Sequence, residues 1–290
     1  MNPAVPAQKR ILIVQDISCV GRCSTLVALP VLSSGGHACA LLPTALLSAH
    51  TGGFGDVYRR DLGADMEGIL AHWRGIGLRF DAVYVGYAGS AEQLWMVEQA
   101  LPSIMLPGAR LYVDPVMGDH GRAYRFITPD MVAAFRSLCA KASVIFPNRT
   151  ETALLLGVPL RPGEEPAMPE PGALGALGAG SAVLTGVTDG AGGIGVWAQH
   201  GEGVGYTTFR RRYAGSWPGT GDLFASAAIA ALEAGVSLPQ ACELSCDFLD
   251  ASFRHTLEVG TETRHGLAFE PGLVRLGAEI AKVRGEGPCA

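Results

Sequence analysis

Short and almost wholly apolar runs recur along the chain at Ile11–Val14, Ala38–Leu42, Ala82–Val85, Leu111–Val113, Val144–Phe146 and Ala182–Leu184. Each has strand length and none alternates apolar with polar residues, so each predicts a strand buried on both faces. Between them, apolar residues recur at helical spacing near 22–35, 61–75, 90–101, 128–140, 149–157, 221–235, 237–257 and 271–284. Buried strands alternating with helices predict an α/β fold, with a central, mostly parallel β-sheet flanked by α-helices on both faces. The closely spaced pieces GGIGVWAQ and GVGYTTFRRRY within residues 192–213 break that rhythm and predict a small antiparallel strand addition. The segment Pro159–Gly175 holds five prolines and three acidic residues, which rules out regular structure there. Because the alternation resumes at Ala182, this segment reads as a surface loop, and residues 1–290 as a single domain with flexible tails at 1–9 and 285–290.

Composition narrows the class. With 290 residues, 48% of them hydrophobic and 17% charged, the chain can bury a large core, which excludes disordered, collagenous and disulfide-scaffold proteins. Glycine, at 39 residues, is about twice the usual share and favours a site built from tight loops. No apolar run approaches the ~18 residues of a membrane span, and MNPAVPAQKR lacks the apolar stretch of a signal peptide, so a cytoplasmic protein without a membrane partner is expected. The net charge is −5 and only Arg210–Arg212 form a basic run, so nucleic acid is not expected as a partner. Seven cysteines, an odd number, read as reduced thiols; the pairs Cys19/Cys23 and Cys242/Cys246 read as small apolar groups rather than metal ligands.

Candidate chemistry centres on Pro218-Gly219-Thr220-Gly221-Asp222, a glycine turn opening onto the helical pattern LFASAAIAALEAG. Free N–H groups and the positive end of that helix would make an anion hole, and Asp222 beside it could take a proton from an attacking hydroxyl. An ordinary turn with an acidic first-turn residue is the plain alternative. Two further motifs follow predicted strands: Asp114-Pro115-Val116-Met117-Gly118-Asp119 and Pro147-Asn148-Arg149-Thr150-Glu151. Asn148 and Glu151 are spaced as a capping box. Alternatively, Asp114 and Glu151 at neighbouring strand ends could share a Mg²⁺, directly or through water.

With these motifs in view, the chain resembles the pyridoxal/pyridoxamine kinases of the ribokinase superfamily. The resemblance runs from Ile11 to about Gly260 and rests on ILIVQDISCVGR, SAHTGGFG, YVGYAGS, DPVMGD, PNRTE, LTG and GTGDLFAS, which stand in family order. It implies a ribokinase-like fold, usually dimeric, that transfers the γ-phosphoryl of ATP to the 5′-hydroxymethyl group of a vitamin B6 vitamer. Mg²⁺ is the implied cofactor, and a monovalent cation is left open. Residue by residue, it implies Asp222 as general base and Gly219, Thr220 and Gly221 as the anion hole. Asn148 and Glu151 would contact phosphate and Mg²⁺, with Asp114 nearby and Thr185 on the nucleotide side. Asp119 and Tyr124 match a flap over ATP, and Thr51 and Tyr87 match positions that hold the pyridine ring.

Asp16 stands where many such kinases have serine. As an acceptor-only carboxylate it would need a donor from the substrate, which points to a cationic vitamer such as pyridoxamine. The lysines Lys9, Lys141 and Lys282 lie outside every motif, so no Schiff base to an aldehyde substrate is expected. His50 reads as a satisfied polar group, and the triple arginine as a solvated strand end. The alternatives are a hydroxymethylpyrimidine kinase or another small-molecule kinase of the superfamily, and, more remotely, a non-catalytic vitamer-binding protein. A dinucleotide oxidoreductase is set aside because no G-x-G-x-x-G follows the first strand.

Overall fold

The computed structural model describes residues 8–285 apart from 162, 171, 202 and 204, so most of both expected flexible tails lies outside the described residues. In chain order the elements are β1 (Arg10–Ser18), α1 (Thr25–Ser34), β2 (Ala38–Leu47), β3 (Arg59–Asp61), α2 (Gly63–Gly75), β4 (Phe80–Val85) and α3 (Ala91–Ile104). They continue with β5 (Met105–Val113), β6 (Gly118–Asp119), β7 (Arg122–Ala123), α4 (Pro129–Lys141), β8 (Val144–Ile145) and α5 (Arg149–Leu156). The chain ends with β9 (Ser181–Thr188), β10 (Gly193–His200), β11 (Tyr206–Arg211), α6 (Thr220–Glu233), α7 (Leu238–Val259) and α8 (Leu273–Gly285).

One sheet takes nine of these strands in the order β11-β10-β9-β8-β5-β4-β1-β2-β3. The six from β9 to β2 are parallel, while β10 and β11 at one edge and β3 at the other are antiparallel. The pleat sends successive residues to opposite faces. Ile11, Ile13, Tyr84, Tyr112 and Val183 accordingly join the core under α1, α6, α7 and α8. Leu12, Val14, Val83, Val85 and Val113 join the core under α2, α3 and α4. Helix α6 is buried along all of Leu223–Glu233, and its run of alanines lets it pack closely between α1 and α7.

Strand order reverses between β1 and β4, and in open α/β sheets that reversal opens a crevice at the carboxyl ends of the strands. The register between β1 and β2 also shifts there, with Thr44 and Ala45 standing opposite Asp16. Such a bulge re-aims the side chains beside it. Two features escape the apolar pattern: β3, whose three residues are all charged and exposed, and the two-residue hairpin β6/β7. Residues 157–174 carry no helix or strand among the described residues, in keeping with a proline-rich loop. No helix among the described residues is long and apolar enough to cross a membrane.

Candidate active site

The glycine turn is built as its residues require. Gly219 caps α6 at φ 81°, and a Cβ there would stand 1.9 Å from the Arg22 carbonyl oxygen, so a side chain is excluded. At Gly221 a Cβ would meet nothing within 4 Å, so the turn is open on that side. The N–H groups of Thr220, Gly221 and Asp222 start the helix and have no intrahelical carbonyl to serve, which leaves them facing the open crevice.

Asp222 is held at both oxygens. Its Oδ1 accepts from the Gln15 amide at 3.1 Å and its Oδ2 from the Ser24 N–H at 2.9 Å. Ser24 has φ 51°, a conformation that costs a non-glycine residue roughly 1 kcal/mol. Burial pushes the Asp222 carboxyl up to about 6 and the neighbouring Asp16 adds to the rise, while the two donors pull it back. A carboxylate poised near neutrality beside an anion hole can accept a hydroxyl proton as phosphoryl transfer proceeds.

Across the crevice, Asp16 is buried and accepts from the Ser18 hydroxyl at 2.7 Å. Burial raises its pKa, opposed by hydrogen bonds from Ser24 and Ser18 and by the nearby His50. Tyr87, at the end of β4, packs edge-on against Phe126 with ring centroids 5.3 Å apart, and Phe126 stacks on Tyr124 at 6.2 Å. Tyr87 is therefore both a packing residue and a wall of the crevice. Thr51 is exposed in a loop that His50 anchors. The His50 Nδ1 accepts the Gly52 N–H at 3.0 Å, which leaves Nε2 as the donor to the Arg264 carbonyl at 2.7 Å. His50 is thus satisfied, and by the same bonds it presses the loop against Pro218 ahead of the glycine turn.

The third group lies at the ends of β5 and β8. Asn148 and Glu151 do form the capping box: Asn148 Oδ1 accepts the Glu151 N–H at 2.9 Å, and Glu151 Oε2 accepts the Asn148 N–H at 2.8 Å. The Asn148 amide also donates to the Gly118 carbonyl at 2.8 Å, and Glu151 Oε1 accepts the Met117 N–H at 3.2 Å. Asp114 accepts a long, 3.5 Å contact from the Tyr84 hydroxyl. Burial raises the pKa of both Asp114 and Glu151; Asp222 adds to the rise at Asp114, and Asp114 adds to it at Glu151. Among the described residues neither of these buried carboxylates is bonded to a cationic side chain, and both are hard-oxygen groups that could hold a Mg²⁺ together with water. Thr185 borders this group through its N–H and hydroxyl, both directed at the Pro147 carbonyl. Asp119 is exposed on the β6/β7 hairpin, and Tyr124 just beyond it feels the charges of Glu151, Asp119, Asp114 and Asp222.

The crevice thus gathers Asp16, Tyr87, Asp114, Asn148, Glu151, Thr185 and Asp222 at one end of the sheet, with Asp119, Tyr124 and Thr51 on its rim. Gln15, Ser24, Tyr84 and Phe126 belong to it as well, although the sequence assigned none of them a role; Gln15 and Tyr84 stand inside the ILIVQDISCVGR and YVGYAGS stretches. Gln15 left a further trace as a polar residue at the end of an apolar strand. Arg210 is paired with Glu243 and Asp247 of α7, which commits its charge to carboxylates, and Arg211 lies over Tyr213 at the exposed strand end. Cys19, Cys23, Cys39, Cys139, Cys242 and Cys246 are free thiols, and no group of three metal-ligating side chains occurs among the described residues. A cavity of about 440 Å³ lined by Arg79, Leu101, Met105 and Lys141 lies at the opposite end of β5 and contains none of the candidate residues.

Residues 33–266 match the model of a family described as phosphomethylpyrimidine kinase. The chain belongs to that family. A solved structure of the pyridoxal kinase from Lactobacillus plantarum is 34% identical and superposes with a TM-score of 0.86 over 94% of this chain and 98% of its own. A Bacteroides thetaiotaomicron protein, provisionally assigned as a phosphomethylpyrimidine kinase and solved with pyridoxal, is 33% identical. It gives a TM-score of 0.86 over 93% of this chain and 96% of its own. The pyridoxine/pyridoxal/pyridoxamine kinase of Bordetella pertussis is 33% identical over 153 residues, which is 48% of this chain and 50% of that protein. The matched stretch therefore spans about half the length of that curated relative. The architecture of the family members is the ribokinase-like one that the motifs imply.

Proposed function

We propose that the chain is an ATP-dependent kinase that phosphorylates the 5′-hydroxymethyl group of a vitamin B6 vitamer. The observation that carries this reading is Asp222, held at both oxygens beside an open glycine turn and close to Asp16, which in turn neighbours Tyr87. Asp222 takes the hydroxyl proton as the oxygen attacks the γ-phosphorus of ATP and the bond from that phosphorus to the bridging oxygen breaks, releasing ADP. The N–H groups of Thr220, Gly221 and Asp222 stabilise charge on the transferring group. Mg²⁺ held by Asp114 and Glu151, directly or through water, would neutralise charge on the nucleotide phosphates. Asn148 and Thr185 border the nucleotide side, Asp119 and Tyr124 cover it, and Thr51, Tyr87 and Asp16 hold the ring. A homodimer acting in the cytoplasm belongs to the same reading.

The family description names a pyrimidine kinase, and a second reading takes hydroxymethylpyrimidine as the acceptor, because it shares with the B6 vitamers a heteroaromatic ring bearing a hydroxymethyl group. ADP release with Mg·ATP and pyridoxal, pyridoxamine, pyridoxine or hydroxymethylpyrimidine, offered separately, distinguishes the two. Turnover on a B6 vitamer at least ~10-fold above hydroxymethylpyrimidine in kcat/KM is the expected result. The reverse order transfers the assignment to the pyrimidine.

A further inference from the structure

Strand β1 places Gln15 where its pleat would otherwise put a core residue. Ile11 and Ile13 face α6, so Gln15 falls on the same side, fully buried, beneath the first turn of that helix. Burying an amide is costly unless it is bonded. Its Nε2 donates to Asp222 Oδ1 at 3.1 Å, while its Oε1 has no hydrogen-bond partner among the described residues. The orientation follows from the partner, since a carboxylate oxygen can only accept. Space for the amide comes from Gly86 at the end of β4, where a Cβ would stand 2.3 Å from Gln15 Nε2. The remaining donor to the carboxylate is the Ser24 N–H, from the start of α1. Asp16 of β1, Cys23 before α1, Tyr84 of β4, Asp114 beyond β5 and Tyr124 beyond β7 are titratable groups among the described residues that interact with Asp222, and these five are all acidic or neutral.

We infer that Gln15 is a positioning residue: its amide and the Ser24 N–H clamp the Asp222 carboxylate from two elements, leaving one face free toward the acceptor hydroxyl. The inference rests on the reading of Asp222 as the base. Because Gln15 acts only through Asp222, its loss should lower kcat and leave KM for both substrates nearly unchanged.

The test is a double-mutant cycle of Gln15→Met and Asp222→Asn, run with Mg·ATP and the best acceptor, with melting temperatures confirming folding. Gly86→Ala serves as a second route, since it displaces the amide while keeping both polar partners. The expected result is a fall in kcat of about 10–100-fold for Gln15→Met and for Gly86→Ala, with KM values within ~3-fold. In the Asp222→Asn background, Gln15→Met should then cost less than ~2-fold more. Parental kcat in both Gln15→Met and Gly86→Ala, with a slow Asp222→Asn, overturns the inference alone, as does full additivity of the two losses. A slow Gln15→Met beside an Asp222→Asn variant at the parental rate overturns both the inference and the base assignment.

Discussion

Asp222 carries two opposed demands. A buried carboxylate without a cationic partner is costly to ionise, and the cost appears as a pKa near 6 rather than the ordinary 3.8. Between those values the folded protein binds more protons than the unfolded chain, so stability falls as pH rises from about 4 to about 6 and stays lower above. At pH 7.5, Asp222→Asn should therefore raise Tm, by an amount corresponding to about 1–3 kcal/mol. The substitution is easily housed, since the Gln15 amide can turn its unpartnered Oε1 toward the new side-chain N–H. The same variant should lose roughly 10²–10⁴ in kcat, and the parent enzyme should lose kcat/KM as pH drops through about 6. Calorimetry and steady-state kinetics on the two proteins check all three points. Asp16 poses the specificity question at the same scale: its surroundings offer hydroxyl donors and the imidazole of His50, whose pKa burial lowers, so a charged group on the substrate would give it a permanent cationic partner. Asp16→Ser should cost about 10–100-fold in kcat/KM on pyridoxamine and much less on neutral pyridoxal. Equal losses on the two substrates would show that Asp16 serves only the fold of its strand end.

Helix α5 shows how one residue can answer to two elements. Glu151 closes the capping box with Asn148 and also feels the charge of Asp114, so its role as a cap leaves it available for the metal-holding role proposed above. Its burial against another carboxylate is destabilising until a cation arrives. Mg²⁺ without nucleotide should consequently raise Tm, by about 1.4 kcal/mol at tenfold over its Kd. Glu151→Gln should abolish most of that gain and raise the Mg²⁺ concentration giving half-maximal activity. A Tm lowered to the same extent with and without the ion, and an unchanged Mg²⁺ dependence, would leave Glu151 as a helix cap only.

Across the whole molecule, α6 spans the distance between two charged centres. Its first turn faces the crevice, and Glu233 at its last turn is buried among Lys9 at 2.8 Å, Arg110 at 2.6 Å and the Tyr112 hydroxyl at 2.6 Å. Arg110 also donates to the Leu232 carbonyl, so cations sit at the negative end of the helix dipole while the crevice takes the positive end. Replacing Glu233 by Gln should destabilise the protein by about 2–3 kcal/mol, because Arg110 and Lys9 lose a buried counter-charge but keep access to water. KM for both substrates should stay within ~2-fold at temperatures well below the transition. Thermal unfolding with parallel kinetics checks both halves of that expectation.

The sequence by itself determined the layers and the strand ends. Apolar runs such as Ile11–Val14 and Leu111–Val113 are local statements about burial on both faces, and Gly219 and Gly221 are local statements about a turn. Hence the six parallel strands, the eight helices and the glycine turn were legible along the chain. What only the tertiary structure decided concerns residues whose meaning depends on a partner far away in sequence. The three charged residues of β3 form a strand because β2 offers an open edge, not because of their own propensity. Gln15 looks like an error at the end of an apolar strand until Asp222, 207 residues later, receives its amide and Gly86 vacates the space. Phe126 joins Tyr87 to Tyr124 only through ring contacts that no spacing encodes. Periodicity reports which face a side chain occupies, whereas a site is a meeting of faces, and which faces meet is settled by packing the whole chain at once.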